Sequence, residues 1–496
     1  KTYFTALLLF IFVEILSFCA FYFQLFNTIT FIIIIVLTAI LACIKYEFSL
    51  FILISELIIG SKGYLFSIPV TDEKSISIRL ALFLTIFIIG LVKIITDFIK
   101  RKSNFRFWHS KLRNYYLLLA VVLIWAIVWA FIRKNGLTNI FFDTNAYLYF
   151  ALTPILYQLI KNKKQILEIF KVFLAAITHI CLKSVFLLFV FSHHLNYTRP
   201  VYKWVRDTGF GEITLLEGNF YRIFSQSQIF ALIGFFIVFS LIFFGKKYRL
   251  KNNLIGLYSI LILSCITLEI SLSRSFWLTG VIAFIIMILI LLIKFKYKIK
   301  RLLQIIGTSV LVFGLSLILL AGIVKFPWPE VKVELNALSS RFQFTDEAAV
   351  SSRWSQLPEL GRAIAKHPVI GSGFGQTVTY ISQDPRVLED SPSGEYTTFA
   401  FEWGYLDQIL KFGLAGLIIY LFLLYKIWKL GWSAIKQVEK RFNKALIFGL
   451  LMGFLSLLGT HMFSPYLNHP LGIGYLMLIG IFFEIYINHS RLSFQT

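Results

Sequence analysis

Long uninterrupted apolar runs constrain this chain more than any other feature. "FIIIIVLTAILACI" (31–44) and "VIAFIIMILILLI" (281–293) are two of them, and crossing a bilayer core takes about twenty apolar residues. Runs of adequate length lie near residues 3–24, 28–44, 48–60, 78–98, 115–132, 143–160, 165–192, 223–244, 254–272, 276–293, 302–324, 405–425, 445–461 and 470–487. The third is short enough to be re-entrant, so about 12–14 spans are expected. A soluble core has no use for a chain that is 58% hydrophobic, 15% charged and carries 53 Phe. The expected fold class is an all-α polytopic integral membrane protein. The first run is too long for a signal-peptide core, so no cleavable signal is expected. Cys19, Cys43, Cys181 and Cys265 all sit in apolar runs without a CxxC or Cys/His cluster, which predicts neither disulfides nor a metal site.

The net charge of +23 invites a nucleic-acid reading, but its distribution argues for membrane topology. Lys and Arg gather at 100–113, 161–164, 246–251, 294–301 and 426–444, at every second turn between runs, which is the positive-inside pattern. It places both termini in the cytoplasm and four segments on the other side: 61–77, 133–142, 193–222 and 325–404. No nucleic-acid partner is expected. The last segment collects acids, among them Glu330, Glu334, Asp346, Glu347, Glu359, Asp384, Glu389, Asp390, Glu395 and Glu402. The chain therefore divides into N-terminal membrane helices (1–217), a membrane core with Arg motifs (218–324), a large external loop containing short helices (325–404) and C-terminal membrane helices (405–496).

External loops of this length are usually functional. Within it Trp354, Leu357, Leu360 and Ile364 recur at helical spacing, with Ser351, Ser352 or Ser355 available as N-cap. Pro358 fits a first turn or kinks a longer helix. His367-Pro368 ends the pattern, and "GSGFG" (371–375) follows as a tight turn or a cradle of amides around an anion.

"SSRWSQLPELGRAIAKHPVIGSGFG" (351–375) resembles the Arg-helix-His-Pro-x-x-Gly-x-Gly-x-Gly segment in the large periplasmic loop of the bacterial O-antigen ligase and polymerase superfamily. Members often carry His followed by Asn, Ser or Gln, nine residues, then Gly-x-x-Gly where that loop re-enters the membrane. The same spacing here reads Glu402-Trp403, nine residues, Gly413-Leu414-Ala415-Gly416. "SLSRSFWLTG" (271–280) and "GNFYRIFSQSQIFA" (218–231) resemble two further Arg-containing family segments. The resemblance covers 218 to about 480 in family order. It departs where many ligases have an activating His, because Glu402 stands there. A late near-match at His461-Met462, nine residues, Gly472-Ile473-Gly474-Tyr475 lies one hairpin too far along.

The resemblance implies a glycan on a polyprenyl diphosphate as donor, already activated at its anomeric carbon. No Asp-x-Asp, Walker or dinucleotide-binding motif is present, and no cofactor or metal is expected. Arginine suits the polyanionic leaving group because it stays charged and binds phosphate oxygens bidentately. Arg274, between two apolar runs, is a catalytic candidate; its structural alternative is an ion pair with Glu269. Arg222 is placed at the outer opening of the helix expected from 223, with interfacial anchoring as its alternative. Arg353 begins the loop helix, and His367 serves as substrate contact or turn residue. Glu402 suits a general base and the positive end of a helix dipole; alternatively it caps the helix or pairs with a loop arginine. Trp403 and Tyr405 are candidate sugar-stacking faces. Asp407 and Gln408 are expected to line the same cavity, since lipid-facing charge is penalised, and His461 to be within its reach. Glu14 and Glu56 read as structural or interfacial.

The implied activity is a metal-independent, inverting transfer of undecaprenyl-diphosphate-linked oligosaccharide onto a glycan hydroxyl, as an O-antigen-type polymerase. It is placed in the bacterial inner membrane, with the active site facing outward. The alternatives are a ligase that uses lipid A-core as acceptor, and a transporter or flippase, which the absence of an internal repeat disfavours. A glycosyltransferase using a lipid-phosphate sugar, with Asp72 or Glu73 as base, is a weaker rival. Expected partners are the lipid-linked donor, a lipid-linked or lipid A-core acceptor, membrane lipids and a chain-length regulator.

Overall fold

The computed structural model describes residues 1–70, 75–100, 105–244, 254–327 and 348–492. Asp72, Glu73, Glu330, Glu334, Asp346 and Glu347 lie outside the described residues. In chain order the helices are α1 (Thr2–Tyr22), α2 (Gln24–Ile44), α3 (Glu47–Ile59), α4 (Ile78–Ile99), α5 (Arg113–Ile132), α6 (Leu137–Tyr147), α7 (Thr153–Leu159), α8 (Lys163–Ser192) and α9 (Thr198–Asp207). They continue as α10 (Ile229–Phe244), α11 (Leu254–Ser271), α12 (Arg274–Ile293), α13 (Ile299–Lys325), α14 (Ala348–Lys366), α15 (Pro385–Asp390), α16 (Gly404–Gln437), α17 (Arg441–Thr460) and α18 (Pro470–Leu492). Three two-stranded antiparallel hairpins accompany them: β1–β2 (Ser67–Pro69, Ser75–Ser77), β3–β4 (Glu212–Leu215, Tyr221–Phe224) and β5–β6 (Val378–Ile381, Glu395–Thr398). The protein is an all-α polytopic membrane protein.

Twelve helices among the described residues are long and apolar enough to span a bilayer. Two of the fourteen runs are not among them. The α3 helix has only 13 residues, and the run near 143–160 breaks into α6, a 3-10 turn and α7, with Pro154 in the first turn of α7. The α3 and α7 pieces are mostly buried in protein, where irregular backbone at membrane depth is tolerated, whereas α6 buries only Ile140 and Tyr147. Peripheral helices such as α1 and α13 bury 22% of their apolar window, whereas that of α18 is buried throughout. Charged groups within the helices meet partners on neighbouring helices. Glu14 pairs with Lys183 and with His179 Nε2 at 3.0 Å, and Arg79 Nε meets Glu56 Oε2 at 3.0 Å. Both carboxylates are thus structural ion-pair partners, as their isolation in sequence suggested. All four cysteines are free.

Contacts gather the connecting segments at two ends. At one, Lys62 N–H donates to Gly209 O (3.3 Å), Asn135 Nδ2 to Phe374 O (2.7 Å), and Arg133 meets His367. These bonds join the four segments expected on the external side in two pairs, 61–77 with 193–222 and 133–142 with 325–404. At the other end Arg106 Nη1 donates to Ile160 O (3.0 Å) and Arg301 Nη2 to Phe243 O (3.0 Å), within the base-rich turns.

Candidate active site

The loop helix α14 starts at Ala348 and runs through Pro358. Ser351, Ser352 and Ser355 therefore do not cap it. Ser355 Oγ instead donates to Ile381 O (2.8 Å), tying α14 to the β5–β6 hairpin. Trp403 Nε1 donates to Arg353 O (3.1 Å), which fixes the same helix to the mouth of α16.

The Gly-x-Gly-x-Gly stretch is a structural dock. Gly371, Gly373 and Gly375 all have positive φ (77°, 82°, 73°), and α16 breaks opposite them at Gly413 (φ 71°). Ser372 N–H donates to Leu410 O (2.7 Å) and Gly373 N–H to Lys411 O (2.9 Å). In return Leu414 N–H donates to Pro368 O (2.8 Å) and Ala415 N–H to Val369 O (3.1 Å). The amides that an anion cradle would need are spent on carbonyls exposed by the helix break. A β-carbon at Gly373 would meet Ala130 N at 2.6 Å, so a side chain has neither space nor allowed backbone there.

Ahead of the start of α16 lies a cavity of about 660 Å³. Arg353 and Gln356 of α14, Tyr380 and Tyr396 of the hairpin, Glu402 ahead of α16, and Tyr466 and His469 of the α17–α18 connection line it. Arg353 Nε and Glu402 Oε2 form an ion pair at its rim, their side chains 43% and 49% exposed. The amides of Gln356 and Gln226, also lining, each keep an oxygen without a hydrogen-bond partner among the described residues. The rings of Tyr380 and Tyr396 meet edge to face at 5.9 Å. This surface offers a cation, a carboxylate and aromatic rings.

The sequence candidates divide. Only Arg353 and Glu402 line the cavity. Arg222 stands in β4, paired with Thr214 across the hairpin, and does not open a helix at 223; the chain stays extended until a 3-10 turn at Gln226. Its Nε donates to Ser271 O (2.9 Å), next to the start of α12 where Arg274 sits. Its guanidinium lies 5.0 Å from the Phe224 ring, which does line the cavity. The Glu269–Arg274 ion pair is not formed: Ser316 Oγ donates to Glu269 Oε1 (2.5 Å), and the other carboxylate oxygen has no hydrogen-bond partner among the described residues. His367 is a half-buried turn residue against Arg133.

Asp407 and Gln408 do not line the cavity. They belong to a dry cluster behind it, in which Lys411 Nζ bridges Asp143 (2.5 Å) and Asp407 (2.7 Å). Gly375 N–H donates to Asp143 (2.7 Å), Asn468 Nδ2 to Asp407 (2.5 Å), and Gln408 Nε2 to Asn468 Oδ1 (2.6 Å). Helix geometry puts Asp407 and Lys411 on one face, and desolvation demands a third partner. Trp403 packs on Trp354 (5.6 Å) and Phe463 (6.0 Å), and Tyr405 donates to Leu458 O (3.1 Å), so neither presents a face to the cavity. His461 is wholly enclosed. Its Nδ1 accepts from Leu467 N–H (3.2 Å), and burial pushes its pKa down to about 3. It does not reach the cavity.

His469 was not singled out in the sequence. It sits before Pro470, and its Nδ1 accepts from Leu471 N–H at 3.3 Å, which leaves the neutral ring's proton on Nε2. Burial, with Arg79 and Lys62 nearby, holds its pKa far below the usual value. The available signal was a histidine at the end of an apolar span.

Residues 259–421 match the family model described as O-antigen ligase. The match, over about a third of the chain, supports the O-antigen ligase-like superfamily and, in general terms, glycan transfer of the ligase or polymerase type. The matched segment contains Arg274, Arg353, His367 and the Glu402–Gln408 stretch, whereas Arg222, His461 and His469 lie outside it. A search of curated proteins finds no match.

Proposed function

We propose that this protein is a surface-polysaccharide polymerase of O-antigen type, joining undecaprenyl-diphosphate-linked oligosaccharides at the outer face of the bacterial inner membrane. The observation that carries the proposal is the Arg353–Glu402 pair at the rim of a glycan-sized cavity. An incoming diphosphate is a bidentate partner for arginine and draws Arg353 off Glu402. The freed carboxylate accepts the proton of an acceptor hydroxyl. The hydroxyl oxygen bonds to the anomeric carbon from the face opposite the diphosphate. The carbon–oxygen bond to phosphate breaks with its electron pair on the leaving group, and configuration inverts. Arg353, with Arg222 beside Phe224 and Arg274 at the start of α12, neutralises the departing charge. Neutral His469 donates from Nε2 to the diphosphate or to a sugar oxygen. No metal enters these steps.

Glu402 in the position of the ligase histidine favours a lipid-linked repeat as acceptor over lipid A-core. The test is elongation of purified lipid-linked oligosaccharide by purified protein, with and without chelator. Products of increasing length in both conditions are expected. Abolition by chelator overturns the metal-free route, and transfer only to lipid A-core overturns the polymerase assignment. Orientation is checked by impermeant thiol labelling of spheroplasts. Cysteine at Ser393 should react and cysteine at Lys436 should not, the reverse pattern inverting the topology.

A further inference from the structure

At the base-rich end, far in sequence from the family segment, a second hollow of about 200 Å³ opens where the 3-10 turn Arg106–His109 meets the end of α7 and the last turns of α18. Arg106 spends Nη1 on Ile160 O (3.0 Å). Its other guanidinium nitrogens have no hydrogen-bond partner among the described residues. Burial presses its pKa below the usual arginine range, although Glu484 and Tyr157 act in the opposite sense. Glu484, buried on α18, takes Ser110 Oγ (3.0 Å) and Leu112 N–H (3.2 Å) on Oε1 and is also hydrogen-bonded by Lys111 N–H, and Ser110 is hydrogen-bonded to Tyr157 (2.9 Å). Among the described residues no ion pair joins Arg106 to Glu484. A cation and a carboxylate thus line one hollow from different elements without touching. Half-buried opposite charges left apart call for a bridging group.

We propose that this hollow binds a zwitterionic phosphoethanolamine headgroup, its phosphate on Arg106 and His109 and its primary ammonium on Glu484. The guanidinium fork fits phosphate oxygens, and exposed His109 on the same turn adds a second donor. A primary ammonium donates to a carboxylate, whereas a quaternary one has no N–H to give. Depth supports a lipid source. Trp108, between the two phosphate ligands, is 49% exposed with Arg113 5.7 Å from its ring, the kind of aromatic that settles at a membrane interface. The volume equals roughly six to seven waters at ~30 Å³ each, enough for a headgroup and too small for a glycan repeat.

The test is native mass spectrometry of the full chain released from mixed phosphatidylethanolamine, phosphatidylcholine and phosphatidylglycerol. Phosphatidylethanolamine should be retained preferentially. R106Q should lower that retention about tenfold, the worth of a charge-assisted hydrogen bond. E484Q should erase the preference over phosphatidylglycerol. Because Glu484 also accepts a backbone amide and its variant can misfold, H109A provides a second reading, with weaker retention at unchanged melting temperature. Soluble glycerophosphoethanolamine that displaces the lipid supports a site for the headgroup itself. Persistent discrimination without displacement assigns the site to the lipid. Equal retention of all three lipids by parent and R106Q overturns the proposal, as does phosphatidylglycerol held as tightly as phosphatidylethanolamine.

Discussion

Two acid–base centres flank the start of α16, one wet and one dry. Arg353 and Glu402 meet with nearly half of each side chain exposed. Lys411, Asp407 and Asp143 meet with at most 7% exposed, and their spare oxygens are engaged by Gly375 N–H and Asn468. Breaking a buried ion pair strands a charge in low dielectric, whereas an exposed pair is worth about 0–1 kcal/mol. The dry centre therefore holds α6, the glycine dock and the broken α16 together. The wet centre is cheap to open, as the proposed exchange of its internal partner for a substrate requires.

This contrast breaks first at Lys411. Lys411→Ala should destabilise by about 3–5 kcal/mol, read as lost expression or a large fall in melting temperature in detergent. The triple change Asp143→Asn, Asp407→Asn, Lys411→Met should recover most of it. If Lys411→Ala is as stable as the parent, the dry centre is not structural.

Gly373→Ala should cost roughly 1–3 kcal/mol from its positive φ alone, with the Ala130 contact added. Limited proteolysis should then cut near 367–376. An undisturbed melting curve would show that the dock yields easily.

Acid stability sharpens the comparison further. His461 is neutral in the fold, its pKa pushed to about 3 against about 6.5 in the unfolded chain. The unfolded state thus binds the extra proton between those values. Stability is fully present above about pH 6.5 and falls toward pH 3, by up to ~1.4 kcal/mol per pH unit for this one group. His461→Asn, which keeps an acceptor for Leu467 N–H, should flatten part of that fall. An identical acid limb in the variant would point to other groups.

At the wet centre Arg353→Gln should change stability by less than about 1 kcal/mol while raising the KM for donor. A large drop in melting temperature would make the pair structural after all.

The two centres were not equally legible in the sequence. The spans follow from local pattern, and so does the i, i+4 placement of Asp407 and Lys411. Asp143, however, lies more than two hundred residues from Lys411, and inside an apolar run it reads as part of a helix. Pro154 hinted at the break of that run, but only packing turns it into two pieces. Glu402 and Arg353 were both legible as charges, and their pairing was among the readings weighed. Arg222 was misplaced because its strand is four residues long and abuts the apolar run of α10. His461 drew interest through spacing alone, which carries no information on enclosure; His469, eight residues later, had no spacing to recommend it.

The central claim is that Glu402 is the base. The direct measurement is the turnover of Glu402→Gln in elongation of purified lipid-linked oligosaccharide, alongside its melting temperature and donor binding. Gln keeps shape and hydrogen bonding but cannot take the proton. Turnover should fall by roughly a hundredfold or more, with melting temperature and donor binding near those of the parent. A Glu402→Gln protein that elongates glycan at the parental rate would contradict the account.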